Sequence, residues 1–458
     1  MNHKERIALC SRCKNRKVNP QLGMVCSLTD EPPSFEESCS YFQVDPLIDY
    51  QTRMREEQTK KSTRSSKRGL RFALIGFPLI VLLGYGLYWG AEQYKNKLVY
   101  EEAERWSIAL QAELEEHDNS IYDDIDLYQL MLRATHDGDK SAQATLHSGF
   151  SDGIKTRILF PFYQMGNSLA VQEMSIKVKD QRAFILYRIS GSSGAFNYVE
   201  VEMKRVDGRL KIVDGYNFGT GDFFNDVAQS MTPDKDGNYR GRLTGYEQIA
   251  TGAKLQEISK KMCAFNINGA NYSKQYLNKK ALEEKFTMFT LMPLEYAVNR
   301  QTGKAYHEQL ISQDKGAQFR AFHAVLMAYY NANLKEFRAA RAKLEAIIGS
   351  DNYLDLLELE LALDAGETDA CEKIESVRKD FLYDTRAYAL QLKCAEKAKD
   401  TKKAIAVVNS MQERLIKRGI VLQTHVFIQE TCPELMNNAK FMESLLPQWG
   451  TYDYYGQN

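Results

Sequence analysis

At 458 residues, the chain is too long for a single core and has length for two or three folded units. Its 60 Lys and Arg match 60 Asp and Glu, but residues 1–71 are basic and the remainder carries the acidic excess. That distribution, with no basic stripe interleaved with aromatics in the larger part, excludes nucleic acid as its partner.

Residues 1–45 gather Cys10, Cys13, Cys26 and Cys39. Cys10 and Cys13 form one CxxC knuckle, whose short turn lets two thiolates face one ion. Cys26 and Cys39 follow singly, each after twelve intervening residues. Four thiolates complete a closed tetrahedral Zn²⁺ site, and in a segment this poor in apolar residues metal binding and folding would be one event. A zinc ribbon would carry a second CxxC, so an Fe–S cluster and free or redox-active thiols stay open as alternatives. The runs Cys13-Lys14-Asn15-Arg16-Lys17, Gly23-Met24-Val25-Cys26-Ser27-Leu28-Thr29 and Ser34-Phe35-Glu36-Glu37-Ser38-Cys39 resemble a short N-terminal cysteine motif of various bacterial membrane proteins. The resemblance implies a small cytoplasmic zinc-ribbon-like module and nothing about the rest of the chain.

A basic linker, 46–71, leads into an uncharged apolar run over 72–91. About 20 apolar residues suffice to cross a bilayer as a helix. Arg64, Lys67, Arg68 and Arg71 precede the run, and Glu92, Glu101, Glu102 and Glu104 follow it. The Lys/Arg excess predicts a single-pass anchor with a cytoplasmic N-terminus. The expected location is the bacterial inner membrane, with the lipid bilayer as a partner and the larger part periplasmic.

Residues 97–235 read as helices followed by strands. Leu98, Trp106, Ala109, Leu110 and Leu114 form a helical stripe. From Val171 the period changes to two: Met174, Ile176, Val178, then Phe184, Leu186, Arg188, then Val199, Val201, Met203, then Leu210, Ile212, Asp214. Asp180-Gln181 and Asp207-Gly208 stand where tight hairpin turns belong. This order of elements resembles NTF2-like domains, in which a bent sheet leaves a cone-shaped pocket. The resemblance implies an α+β domain, with Tyr187, Tyr198, Asp214 and Tyr216 as candidates to line the pocket. Acidic Asp123, Asp124 and Asp126 lack the Gly and distal Glu of an EF-hand loop and read as a solvated helix start.

Residues 240–458 are helical throughout. A turn followed by a small residue recurs: Asn333 to Phe337 leads to Ala340, Gly366 to Cys371, and Lys399 to Ala404. The spacing suits stacked helix pairs and resembles degenerate tetratricopeptide (TPR-like) repeats, which implies an extended protein- or peptide-binding surface. Cys371 and Cys394 are candidates for a disulfide between successive helices.

The fold class predicted is multi-domain: a small four-cysteine metal module, one transmembrane helix, an α+β NTF2-like domain and an all-α TPR-like helical repeat domain. P-loop, GxGxxG and HExxH motifs are missing from the sequence. The predicted function is a membrane-anchored, non-enzymatic interaction or assembly scaffold. Ligand binding or isomerase-like chemistry in the NTF2-like cavity is the alternative.

Overall fold

The computed structural model describes Arg6, Leu9, Cys10, 13–19, 23–29, Ser34, Cys39, Ser40, Phe42, Gln43, 76–115, 124–134, Lys155, Ile158, 170–190, 196–231, Leu243, 245–263, 266–314, 316–367, 369–377, Phe381, 384–417 and 424–449. It divides into two compact units. The first comprises Met1–Asn119, Ile176–Phe184 and Lys204–Leu210, and the second Ser120–Ser175, Ile185–Met203 and Lys211–Asn458.

In chain order the elements are β1 (Arg16–Asn19), β2 (Gly23–Cys26), α1 (Gly76–Glu115), α2 (Leu127–Ala134), β3 (Ala170–Lys179), β4 (Arg182–Ser190), β5 (Phe196–Val206), β6 (Arg209–Asn217) and β7 (Asp222–Phe223). Helices follow: α3 (Phe224–Met231), α4 (Gly245–Cys263), α5 (Ile267–Lys274), α6 (Lys279–Leu282), α7 (Lys285–Val298), α8 (Arg300–Ser312), α9 (Ala317–Tyr330), α10 (Leu334–Ile348) and α11 (Asn352–Asp364). The last are α12 (Ala370–Val377), α13 (Thr385–Lys397), α14 (Thr401–Lys417), α15 (Thr424–Thr431), α16 (Pro433–Met436) and α17 (Ala439–Trp449).

In the first unit β1 and β2 form an antiparallel hairpin, with Arg16 opposite Cys26 and Asn19 opposite Gly23. Helix α1 is 40 residues long, about 60 Å at 1.5 Å per residue. It buries Val99, Ala103, Ser107 and Leu110, a stripe with spacings of three and four, while Leu98, Trp106 and Ala109 beside it are only half-buried. Glu102 pairs with Arg205 and accepts the Leu210 amide at 3.2 Å, and Asn96 accepts the Gln181 amide at 3.0 Å. These contacts pin the helix to two hairpin ends.

Two parts of the predicted fold class are corrected here. Among the described residues no helix is long and apolar enough to cross a membrane. The apolar run does not end as a helix of its own: α1 starts inside it and continues unbroken through Glu101, Glu102, Glu104 and Arg105. Residues 72–75 lie outside the described residues. Nor does any group of three or more His, Cys, Asp or Glu that could hold a metal ion occur among the described residues. Cys10, Cys13, Cys26 and Cys39 are among those residues, and the thiols of Cys39, Cys13 and Cys26 are near enough to Cys10 to act on it electrostatically.

The five-stranded sheet is a meander in the order β3-β4-β5-β6-β7. Its first and third turns are Asp180-Gln181 (φ 51° and 59°) and Asp207-Gly208 (φ 48° and 81°). Positive φ at both central residues gives the twist that a two-residue hairpin needs. β4 is buried continuously from Ile185 to Ser190, so in the second unit both sheet faces are covered.

The expected separation into an α+β and an all-α domain is likewise corrected. Leu186, Phe196, Tyr198, Tyr216 and Phe218 of the sheet share one hydrophobic core with Phe289, Phe322, Tyr353 and Leu357 of the helices. Phe322 meets Phe196 and Tyr198 edge-on, with centroids 5.4 and 5.7 Å apart. The aromatic side chains of this sheet face were too many to leave exposed, and α9 and α11 supply the matching apolar stripe. A second cluster, built on Tyr388, Leu392, Val408, Met411, Phe427 and Phe441, closes the C-terminal helices.

Candidate functional site

The helices from α9 to α14 form successive hairpins whose turns repeat one device. Ala332, Gly366 and Lys399 adopt positive φ (54°, 83° and 53°) at separations of 34 and 33 residues. Each reverses the chain after a helix, as a C-terminal left-handed cap does. At the second turn Gly366 N donates to Leu363 O and Glu367 N to Ala362 O. A polar cap then starts the next helix. Asn333 accepts the Glu336 amide (3.1 Å) before α10, and Asp400 the Lys403 amide (2.9 Å) before α14. Asp351 and Asp384 start α11 and α13 in the same way.

Between α10, α11 and α12 these turns leave a cleft of about 260 Å³. Its floor is apolar, from Leu359, Ala362, Ala370 and Val377. The rim alternates in charge: Arg338 pairs with Glu358 (2.7 Å) and Glu367 (3.0 Å), and Arg341 with Glu345 (2.9 Å), Asp355 (2.6 Å) and Glu358 (3.0 Å). The Glu367 and Glu358 hydrogen bonds push the Arg338 pKa further up. For Arg341 burial acts downward, but Glu345 and Asp355 outweigh it. Lys373 lowers the Asp369 carboxyl and is itself raised by it. Arg338, Arg341, Lys373 and Asp369 are therefore held in their charged forms near neutrality, and an incoming segment can exchange the half-exposed rim pairs for its own at little desolvation cost. Cys371 on α12 and Cys394 on α13 are joined by a disulfide, with Cα atoms 5.7 Å apart.

The pocket candidates of the sheet are buried. Tyr187 and Tyr198 are fully buried, and Tyr216 and Asp214 nearly so. The Tyr198 hydroxyl donates to Asp351 (2.5 Å), and burial first, then Asp351, pushes its pKa well up. Burial likewise raises Tyr216 to about 12. Asp214 Oδ1 accepts the amides of Gly215 (2.9 Å) and Asn225 (3.2 Å), and Oδ2 accepts from Arg133 (3.3 Å). It fastens the start of α3 to the sheet. Burial raises its pKa against those three donors.

In the cysteine segment Cys13 N donates to Cys10 O (2.9 Å) and the Gln43 amide to Cys13 Sγ (3.4 Å). Burial, then the Cys39, Cys13 and Cys26 thiols, push Cys10 up to about 11. Asp126 caps α2 through the Gln129 amide (2.9 Å) and Asp124 pairs with Lys211 (3.4 Å); Asp123 lies outside the described residues. Cys432 is buried and outside any disulfide, whereas the Cys263 side chain is outside the described residues.

Sequence reasoning missed two buried polar networks. Arg188 pairs with Asp351 and Gln172, reaches Asn352 at 3.2 Å, and lies over the rings of Tyr353 (4.9 Å) and Phe381 (5.5 Å). Its signal was an arginine on the same strand parity as Phe184 and Leu186. His307 and His323, both fully buried, face each other across α8 and α9 at 2.7 Å. A histidine beside Phe319 and Phe322 was visible in the sequence, but its partner on another helix was not.

No family model matches the chain, and no curated protein or solved structure is detectably similar to it.

Proposed function

We propose that the chain is a non-enzymatic interaction protein that takes a protein or peptide segment into the cleft of its helical hairpins. The cleft between α10, α11 and α12 carries the reading. It combines an apolar floor with a rim of exchangeable ion pairs, and stacked helical hairpins bind extended segments on such surfaces. The Cys371–Cys394 bond supports action in an oxidising compartment, such as the bacterial envelope outside the cytoplasm.

The test is photocrosslinking in cells from Lys373 and Ser376, which are exposed and line the cleft. Discrete protein adducts are expected from both positions. Ser376→Trp, which fills the cleft with a ring, should reduce the adducts from Lys373 at least tenfold. Adducts unaffected by Ser376→Trp, or none from either position, would overturn the reading.

A further inference from the structure

We infer that the docking cleft is under redox control, because one of its walls is fastened by the Cys371–Cys394 disulfide. The inference rests on the proposed docking function for its consequence, but not for its structural claim.

The wall is α12, which supplies Ala370, Lys373, Ser376 and Val377 to the cleft. It has only eight residues and buries only Ala370 and Ile374. A helix of two turns is not stable on its own and depends on tertiary anchors. Ala370 and Ile374 enter the main core, and Cys371 and Val377 pack against it; the polar anchors on the side away from the cleft are weak. Glu375 accepts from Gln391 of α13 (3.0 Å) and pairs with Lys403 of α14 (2.9 Å). Glu375 and Lys403 are 42% and 40% exposed at the side chain, where such pairs contribute little. Besides those two buried side chains, the covalent bond from Cys371 to Cys394 is an anchor that solvent does not weaken.

The neighbouring wall differs. α10 has 15 residues and buries Phe337, Ala340, Leu344 and Ile348. Loss of the disulfide thus selectively releases α12, one of the three helices that line the cleft.

The bond is also placed to be reduced from one side. Cys371 is half-buried whereas Cys394 is only 6% exposed. A dithiol reductant reaches Cys371 Sγ. Its thiolate forms a bond to that sulfur while the Sγ–Sγ bond breaks and Cys394 leaves as a thiolate, which takes up a proton. The reductant's second thiolate then displaces Cys371, leaving two protein thiols and one oxidised dithiol. Two electrons and two protons are transferred.

The experiment is amide hydrogen exchange on the purified full chain with and without dithiothreitol. Amides of 370–377 should exchange at least tenfold faster after reduction, and those of 334–348 should change by less than about twofold. The variant Cys371→Ser/Cys394→Ser, without reductant, should reproduce the reduced pattern; if it does not fold, reduction of the natural chain decides. Unchanged protection at 370–377 would overturn the inference. So would equal acceleration across 317–417, because the disulfide would then secure the whole stack and not one wall. No partner is involved, so failure here is distinguishable from failure of the docking reading, which the Lys373 and Ser376 crosslinks decide.

Discussion

Acidification from pH 8 to pH 5 should destabilise the fold through the buried histidine pair, in a way that neutral replacements abolish. The pair sits in a chain of hydrogen bonds with one self-consistent neutral assignment. His323 Nε2 lies 2.9 Å from the Gly219 carbonyl and must donate to it. Its Nδ1 is then the acceptor for His307 Nε2 at 2.7 Å, and His307 Nδ1 accepts from the Tyr296 hydroxyl at 3.4 Å. A proton on His323 Nδ1 sets two donors face to face, and one on His307 Nδ1 turns the Tyr296 hydroxyl from donor to acceptor. Gly219 is fixed as well, since a Cβ there would fall 2.5 Å from the Phe289 ring. Burial, then the neighbouring His323, lowers His307 to about 2. Burial lowers His323 to about 4, opposed by the Gly219 carbonyl and Asp314.

Both folded values lie below the unfolded value of about 6.5, so below that pH the unfolded chain binds more protons. The stability is complete above about 6.5 and is lost as pH falls, down to about 4 for His323 and about 2 for His307. At pH 5 each ring kept neutral costs about 2 kcal/mol, or about 4 for the pair. Asp384 works the other way. Burial raises it to about 6, so it favours the fold by about 1 kcal/mol at pH 5. Urea unfolding of the natural chain and of His307→Gln/His323→Gln at both pH values isolates the histidines. The variant should be less pH-sensitive by about 4 kcal/mol. A difference below about 1 kcal/mol would refute the buried neutral pair.

Removing one member of the Arg188–Asp351 pair, by Asp351→Asn or Arg188→Met, should cost about 3–5 kcal/mol in urea unfolding, because the remaining charge is buried alone. The double replacement should cost less than the sum of the two. Tyr198→Phe loses one buried hydrogen bond to Asp351 and should cost about 1–2 kcal/mol. Gly366→Ala should lower stability by about 1–2 kcal/mol. A Cβ there meets nothing within 4 Å, so the cost is the positive φ alone, and Gly366→Asn should recover part of it in the same assay.

Local chemistry was legible in the sequence where a residue type implies a backbone state. Asp207-Gly208 marks a tight hairpin, and the spacing of Asn333, Gly366 and Lys399 marks helix reversals that appear as positive φ one residue earlier or at the same place. What the sequence hid depends on partners far along the chain. The period-two strands suggest a sheet with one open face, but nothing in them shows that Phe322 and Tyr353 will cover Phe196 and Tyr198. The apolar run at 72–91 has a membrane-like composition. Yet α1, which starts at Gly76 and continues into an amphipathic stretch that buries Ala103 and Ser107, is not, among the described residues, apolar enough over a sufficient length to cross a membrane. Hydropathy windows weigh composition, and the continuity of a helix across a compositional boundary is outside their reach.

The buried charges explain how a cleft on thin helices can keep its shape. Asp351 caps α11 through the Tyr353 amide (2.9 Å) and at the same time receives Arg188 from β4 and the Tyr198 hydroxyl from β5. The start of α11 is thereby referenced to two strands, and Leu359 and Ala362 of the cleft floor lie about two to three turns further on. An apolar residue at 351 would pack the core but would leave the α11 amides uncapped and Arg188 unpaired. The α11 part of the floor and the sheet thus form the rigid side of the cleft, while α12, with two buried residues and one disulfide, forms the side that can move. The asymmetry locates any adjustment to a bound segment in α12, so hydrogen exchange on binding should change at 370–377 before it changes at 352–364.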